Sequence, residues 1–267
     1  MSKIYTVVEY KVHVFGGDGD TPTPSDGDPH IMVPCRVHKE GTAKYLVYQV
    51  TMRGKTLRRF IIDASKKNER VSFRHSLGLR EPIRINAFEL LMKLTDTCES
   101  LLFNNRLLSQ SHINPDLIWV DYDANHILNV RLLDIMDCDL SDDAINESAY
   151  LSPELLGKRN HALHNAPIPR KVSLTRYDTR PSTLSSVYSI GLVLYFIVTG
   201  MDPYEGSRLN VHERPCLSGI PSIYAKLIWI ATDADQTERP TIKDFREIVI
   251  QTRTPDKYSC ISNVCYV

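Results

Sequence analysis

Between Ser185 and Tyr204 the chain reads SSVYSIGLVLYFIVTGMDPY, a run that is apolar around the whole circumference of a helix instead of along one stripe. Such a helix has to be buried on every side, in a protein core or in a membrane. A membrane span takes about 20 consecutive apolar residues. Thr199, Gly200 and Asp202 end this run well short of that, so the expectation is a core helix around which the other elements pack.

The surroundings of this helix narrow the fold. Val187-Tyr188-Ser189-Ile190-Gly191, then Leu192 to Val198, then Thr199-Gly200-Met201-Asp202-Pro203-Tyr204 resemble the central helix of the protein-kinase large lobe and the loop after it. Upstream, Tyr150-Leu151-Ser152-Pro153-Glu154 resembles the Pro-Glu motif that closes the family's activation segment. Downstream, Glu238-Arg239-Pro240-Thr241 resembles the Arg-Pro that opens the last helix of that lobe. The resemblance covers about residues 30 to 251 and rests on three motifs in the right order. It implies an α+β, two-lobed protein-kinase-like fold: a reduced β-rich N-lobe over residues 1–52, a mainly helical C-lobe over 53–254, and a C-terminal tail over 255–267. It also implies that Glu154 and Arg239 meet as a buried ion pair, and that Pro153, Glu154, Gly191 and Arg239 serve the fold and not chemistry.

A chain of 267 residues with 42% hydrophobic content is long enough to bury a full core. Its formal net charge of zero provides no overall field to draw it to nucleic acid or to an anionic membrane, and neither partner is expected. The six cysteines are scattered without metal-ligand spacing, which reads as reduced thiols in a cytoplasmic protein. The first residues alternate like a strand and contain no apolar signal core.

Taken in order, Ile4 to Phe15 reads as a strand or strand pair, and residues 16–30 as a surface loop of glycine, aspartate, proline and small hydroxyl residues. That loop lacks the glycine at the sixth position and the closing glutamate of a calcium-binding EF-hand. Two strands are expected next, Ile31 to Val37 and Lys44 to Thr51, with His38 to Ala43 as the turn. The second resembles the family's strand into the hinge, and Leu57 to Ser65 the short helix after it. From Ile85 to Leu108, Leu90, Leu91, Leu94, Cys98, Leu101 and Leu102 recur at helical spacing. Asp116 to Val120 and Leu128 to Asp134 look like two short strands around Asp123 to His126. Ser222 to Asp233 and Thr241 to Gln251 read as helices, the latter with Thr241 as N-cap and Asp244 three residues on.

In working kinases the two short strands carry the active site, which needs a glycine-rich loop, a lysine–glutamate pair, a carboxylate base and two metal-binding side chains. Anchoring the catalytic loop on Pro115 puts Gln110, Ser111 and His112 in place of its His, Arg and Asp, and Leu117 in place of the metal-binding asparagine. Matching His112 to the motif's histidine instead puts Asn114 at the aspartate and Trp119 at the asparagine. On either alignment the base and one metal ligand are missing. Leu132-Leu133-Asp134-Ile135-Met136 keeps the other metal-binding aspartate but not the phenylalanine and glycine that follow it. No glycine-rich loop precedes Lys11, which stands where the family's lysine would be, and residues 16–29 contain no glutamate to pair with it. Ser186 replaces the aspartate that braces the catalytic loop from the central helix.

The chain therefore resembles a pseudokinase, with no catalytic residues, no metal, and no ATP or magnesium binding expected. Lys11 and Asp134 are the weak candidates for nucleotide contact. A protein partner is expected, with the basic segment Leu156 to Thr183 as its site through Arg170, Lys171 and Arg176; a solvated loop is the other reading of that segment. His161 and His164 stand at helical spacing with no third ligand near, and Cys265 is one place short of a prenylation site. Two further readings stay open: a divergent kinase that retains weak nucleotide binding, and a helical protein unrelated to kinases.

Overall fold

The computed structural model describes residues 6–13, 29–32, 36–40, 43–50, 54–65, 86–103, 113–123, 126–133, 149–155, 182–204 and 214–253. They form an α+β protein. The strands are β1 (Thr6–His13), β2 (Ile31–Met32), β3 (Arg36–Glu40), β4 (Ala43–Val50), β5 (Gly54–Thr56), β6 (Ile118–Asp123) and β7 (His126–Leu133). The helices are α1 (residues 57–65), α2 (Ala87–Phe103), α3 (Thr183–Thr199), α4 (Ser222–Ala231) and α5 (Ile242–Arg253), with single turns at residues 153–155 and Gln236–Glu238.

The apolar run is α3, and every residue from Ser185 to Ile197 is buried. Its ends are set by local chemistry. Ser182, in extended conformation, accepts a hydrogen bond on its side chain from the Ser185 amide at 3.1 Å, which satisfies one of the amides left open at a helix start. Gly200 ends the helix in the left-handed region at φ 70°, where a side chain would be strained, and its amide reaches back to Phe196 O at 2.8 Å.

Around α3 the other helices present single stripes. In α2, started by the Asn86 side chain accepting from the Glu89 amide, Leu90, Leu91, Leu94, Cys98 and Leu101 are each at most 1% exposed. In α5, Ile242, Phe245 and Val249 turn inward at helical spacing. Thr241 caps α5 as expected: its hydroxyl accepts from the Asp244 amide at 3.1 Å and donates to the Asp244 carboxylate at 2.6 Å. Helix α4 packs closest of all on α3. A Cβ on Gly191 would lie 2.6 Å from Ala231 Cβ and 3.0 Å from Thr232 Cγ2, so the contact exists only because that position has no side chain.

The described strands form two sheets. One is antiparallel in the order β1-β4-β3; the other is mixed, in the order β2-β7-β6-β5, with β2 parallel to β7 and α2 packed along β7. The single strand expected over Ile31 to Val37 is in fact two, β2 and β3, in different sheets. Pro34, which has no N–H to give a ladder, lies between them. Strand β2 pairs with β7 at Ile31↔Leu132 and Met32↔Leu133. The β3–β4 and β6–β7 connections are tighter than the sequence suggested, with pairing out to Glu40↔Ala43 and Asp123↔His126. Strand β6 also starts two residues later than expected. The Asn114 side chain accepts from the amides of Asp116 (2.9 Å) and Leu117 (3.2 Å), and this turn keeps Asp116 out of the strand. No helix among the described residues is long and apolar enough to cross a membrane.

Candidate functional site

Two polar junctions are built against the central helix. The first joins Glu154 to Arg239. Ser152 starts a one-turn helix, with Leu155 N bonded to Ser152 O, and Pro153 sits at its first position, where a missing N–H costs nothing. This aims Glu154 at the start of α3. From the other side, Asp235 caps the short turn Gln236–Glu238 and delivers Arg239 in extended conformation at its end.

The two side chains meet as a fork on a fork: Arg239 Nη1 donates to Glu154 Oε1 at 2.9 Å and Nη2 to Oε2 at 3.0 Å, with side chains 0% and 1% exposed. The remaining guanidinium donors go to the carbonyls of Asp233 (2.6 Å), Leu184 (3.3 Å) and Ala234 (3.3 Å), and Ser185 Oγ donates to Glu154 Oε1 at 2.7 Å. Arg239 also lies over the Tyr188 ring, 4.8 Å from its centroid. Burial alone would push the Glu154 carboxyl up, but the hydrogen bonds and charge of Arg239 hold it below the usual carboxylate range.

The second junction has Arg58 at its centre. From α1, its Nε donates to both carboxylate oxygens of Asp116 at 2.8 Å, and its two terminal nitrogens donate to the two oxygens of Asp202 at 3.1 and 2.9 Å. The Tyr150 hydroxyl donates to Asp202 Oδ1 at 2.6 Å. Burial works against both charges. The Arg58 pKa is nevertheless raised by Asp202 and Asp116, and that of Asp202 lowered by Arg58 and Tyr150. Burial and the Asp202 carboxylate push the Tyr150 hydroxyl well above its ordinary value. A smaller buried cluster lies in the mixed sheet, where Trp119 Nε1 and Arg131 Nη2 both donate to Asp121.

Of the residues singled out from sequence, the structure joins Glu154 to Arg239, places Pro153 at the start of the turn that carries Glu154, and sets Gly191 within α3 against Ala231 and Thr232. Lys11 lies in β1, paired with Tyr45, and its side chain is outside the described residues, as are Asp134, Gln110, Ser111, His112, His161, His164 and the segment with Arg170, Lys171 and Arg176. Asn114 closes the turn before β6, and Leu117 is 3% exposed in the core. Ser186 donates to Ser182 O of its own helix end. Among the described residues no group of three His, Cys, Asp or Glu is placed to hold a metal ion. The Arg58 junction was not foreseen. Its acids are 58 and 144 residues away along the chain, and no periodicity joins them. The nearest signal is Asp202 itself, which stands in the motif after the central helix. No protein-family model matches the chain, and no curated protein matches it.

Proposed function

We propose that the chain is a pseudokinase: a two-lobed, kinase-like protein that no longer transfers phosphate and acts by binding another protein, as scaffold or allosteric regulator. The observation that carries this reading is the forked Glu154–Arg239 pair across the start of the central helix. That pair is what the kinase resemblance requires of residues 85 apart in sequence, and composition or periodicity gives no reason for it.

Loss of chemistry follows from the residues at the catalytic positions. A missing general base alone costs about 10²- to 10⁴-fold. On the alignment from His112, neither Asn114, whose side chain accepts two amides of its own turn, nor Trp119 offers a carboxylate or amide to a substrate hydroxyl or a metal, and on the alignment from Pro115 the metal-ligand position is the buried Leu117. Serine at the bracing position is consistent with a catalytic loop that no longer has to be held for reaction.

Thermal unfolding with millimolar ATP and magnesium tests the reading. A ligand at 100 times its dissociation constant stabilises by about 2.7 kcal/mol, which a melting curve resolves readily. The expected result is no shift and no phosphate transfer. A saturable shift abolished by Asp134→Ala would replace this reading with that of a divergent nucleotide-binding kinase.

A further inference from the structure

We infer that Arg58 is a positioning residue that makes three separate segments move as one body: helix α1, the turn at residues 113–117, and the segment 149–155. Each link is on the structure. Arg58 holds the turn twice, by its amide to Pro115 O at 2.9 Å and by Nε to the Asp116 carboxylate at 2.8 Å. It holds the loop after α3 through both oxygens of Asp202. Asp202 in turn accepts from the Tyr150 hydroxyl, and Tyr150 is tied at its other end by its carbonyl to Ser189 Oγ of α3 at 2.8 Å.

Only arginine fits the centre of this junction. Its planar fork reaches two carboxylates at once, while its Cζ lies 4.9 Å from the centroid of the Phe196 ring on α3. A lysine ammonium is a point charge and can serve one carboxylate well. The side chains concerned are partly exposed, 27% for Arg58, 40% for Asp116 and 45% for Asp202, so no single pair dominates stability. The shared geometry matters instead. Whatever displaces α1 acts on Asp202 and, through the Tyr150 hydroxyl, on the start of 149–155. A partner that engages α1 thereby acts on the segment that ends in Glu154 without reshaping the central helix.

Hydrogen exchange of the full chain tests this. Arg58→Ala is expected to speed exchange at Asp116 and Leu117 and across 149–155 together, by about tenfold or more, the effect of losing a charge-assisted hydrogen bond. Amides of Ser189 to Phe196 in α3 should keep their wild-type rates, and Arg58→Lys should fall between. Two milder variants separate the arms and decide the matter should Arg58→Ala not fold. Tyr150→Phe should loosen 149–155 and leave Asp116 and Leu117 unchanged; Asp116→Asn should do the reverse. The inference is overturned if Arg58→Ala accelerates only its own helix or all segments equally, or if Tyr150→Phe leaves 149–155 at the wild-type rate.

Discussion

Replacing Arg239 with alanine removes five guanidinium hydrogen bonds and leaves Glu154 buried with the Ser185 hydroxyl as its one remaining described side-chain partner. Stranding one member of a buried pair costs about 3–5 kcal/mol. Against a total stability of about 5–15 kcal/mol that is a large fraction. At about 2–4 °C per kcal/mol for a chain of this size class, the melting temperature should fall by roughly 6–20 °C. Urea titration followed by circular dichroism gives the free energy directly. The loss should depend on pH with a definite sign. The Glu154 pKa is lower in the folded protein, so the pair's contribution is fully present above the unfolded value of 4.5 and is lost as pH falls through the lower folded value. The gap between wild type and Arg239→Ala should therefore narrow in acid. Replacing both residues by methionine should recover most of the loss, because two well-packed apolar groups need no desolvation. A loss below about 1 kcal/mol for Arg239→Ala, the range of an exposed ion pair, would refute the reasoning.

Two further outcomes follow from packing. Gly191→Ala should destabilise by about 1–3 kcal/mol in urea titration, since its Cβ meets Ala231 and Thr232 inside contact distance and α3 and α4 must move apart; an unchanged midpoint would mean that the contact is looser than 2.6 Å. Cys98 is fully buried, and burial pushes its thiol up to about 12, whereas Cys216 is exposed. Iodoacetamide under native conditions should therefore modify Cys216 and spare Cys98 until urea unfolds the chain, as peptide mass mapping will read. Native labelling of Cys98 would place it outside the core.

The helices were legible because their signals are local. A run apolar on all sides but too short for a membrane span reads as a buried helix, Gly200 stands among the residues that end it, and the leucine stripe of α2 gives its inward face by spacing alone; the cap at Ser182 and the inward face of α5 came from the structure. Glu154 and Arg239 were legible for a different reason: each stands in a short motif, and the resemblance of those motifs supplied the pairing that spacing does not contain. Strand partners were less legible. Nothing in Ile31–Met32 says that it joins β7 and not β4, because a two-residue strand has no alternation to read, and its place is fixed by Leu132 and Leu133 across the ladder. Arg58 was illegible altogether. A charged residue at the start of a helix is ordinary in sequence; only after α3 has gathered α1, the turn before β6 and the Tyr150 segment around itself do Asp116 and Asp202 come within reach of one guanidinium. The sequence by itself determined which helices must be buried and that Thr241 caps the last of them, because hydrophobic burial and capping act on neighbours in the chain. The tertiary structure decided which charges meet, because two carboxylates far apart in sequence acquire a common partner only when a core brings them together.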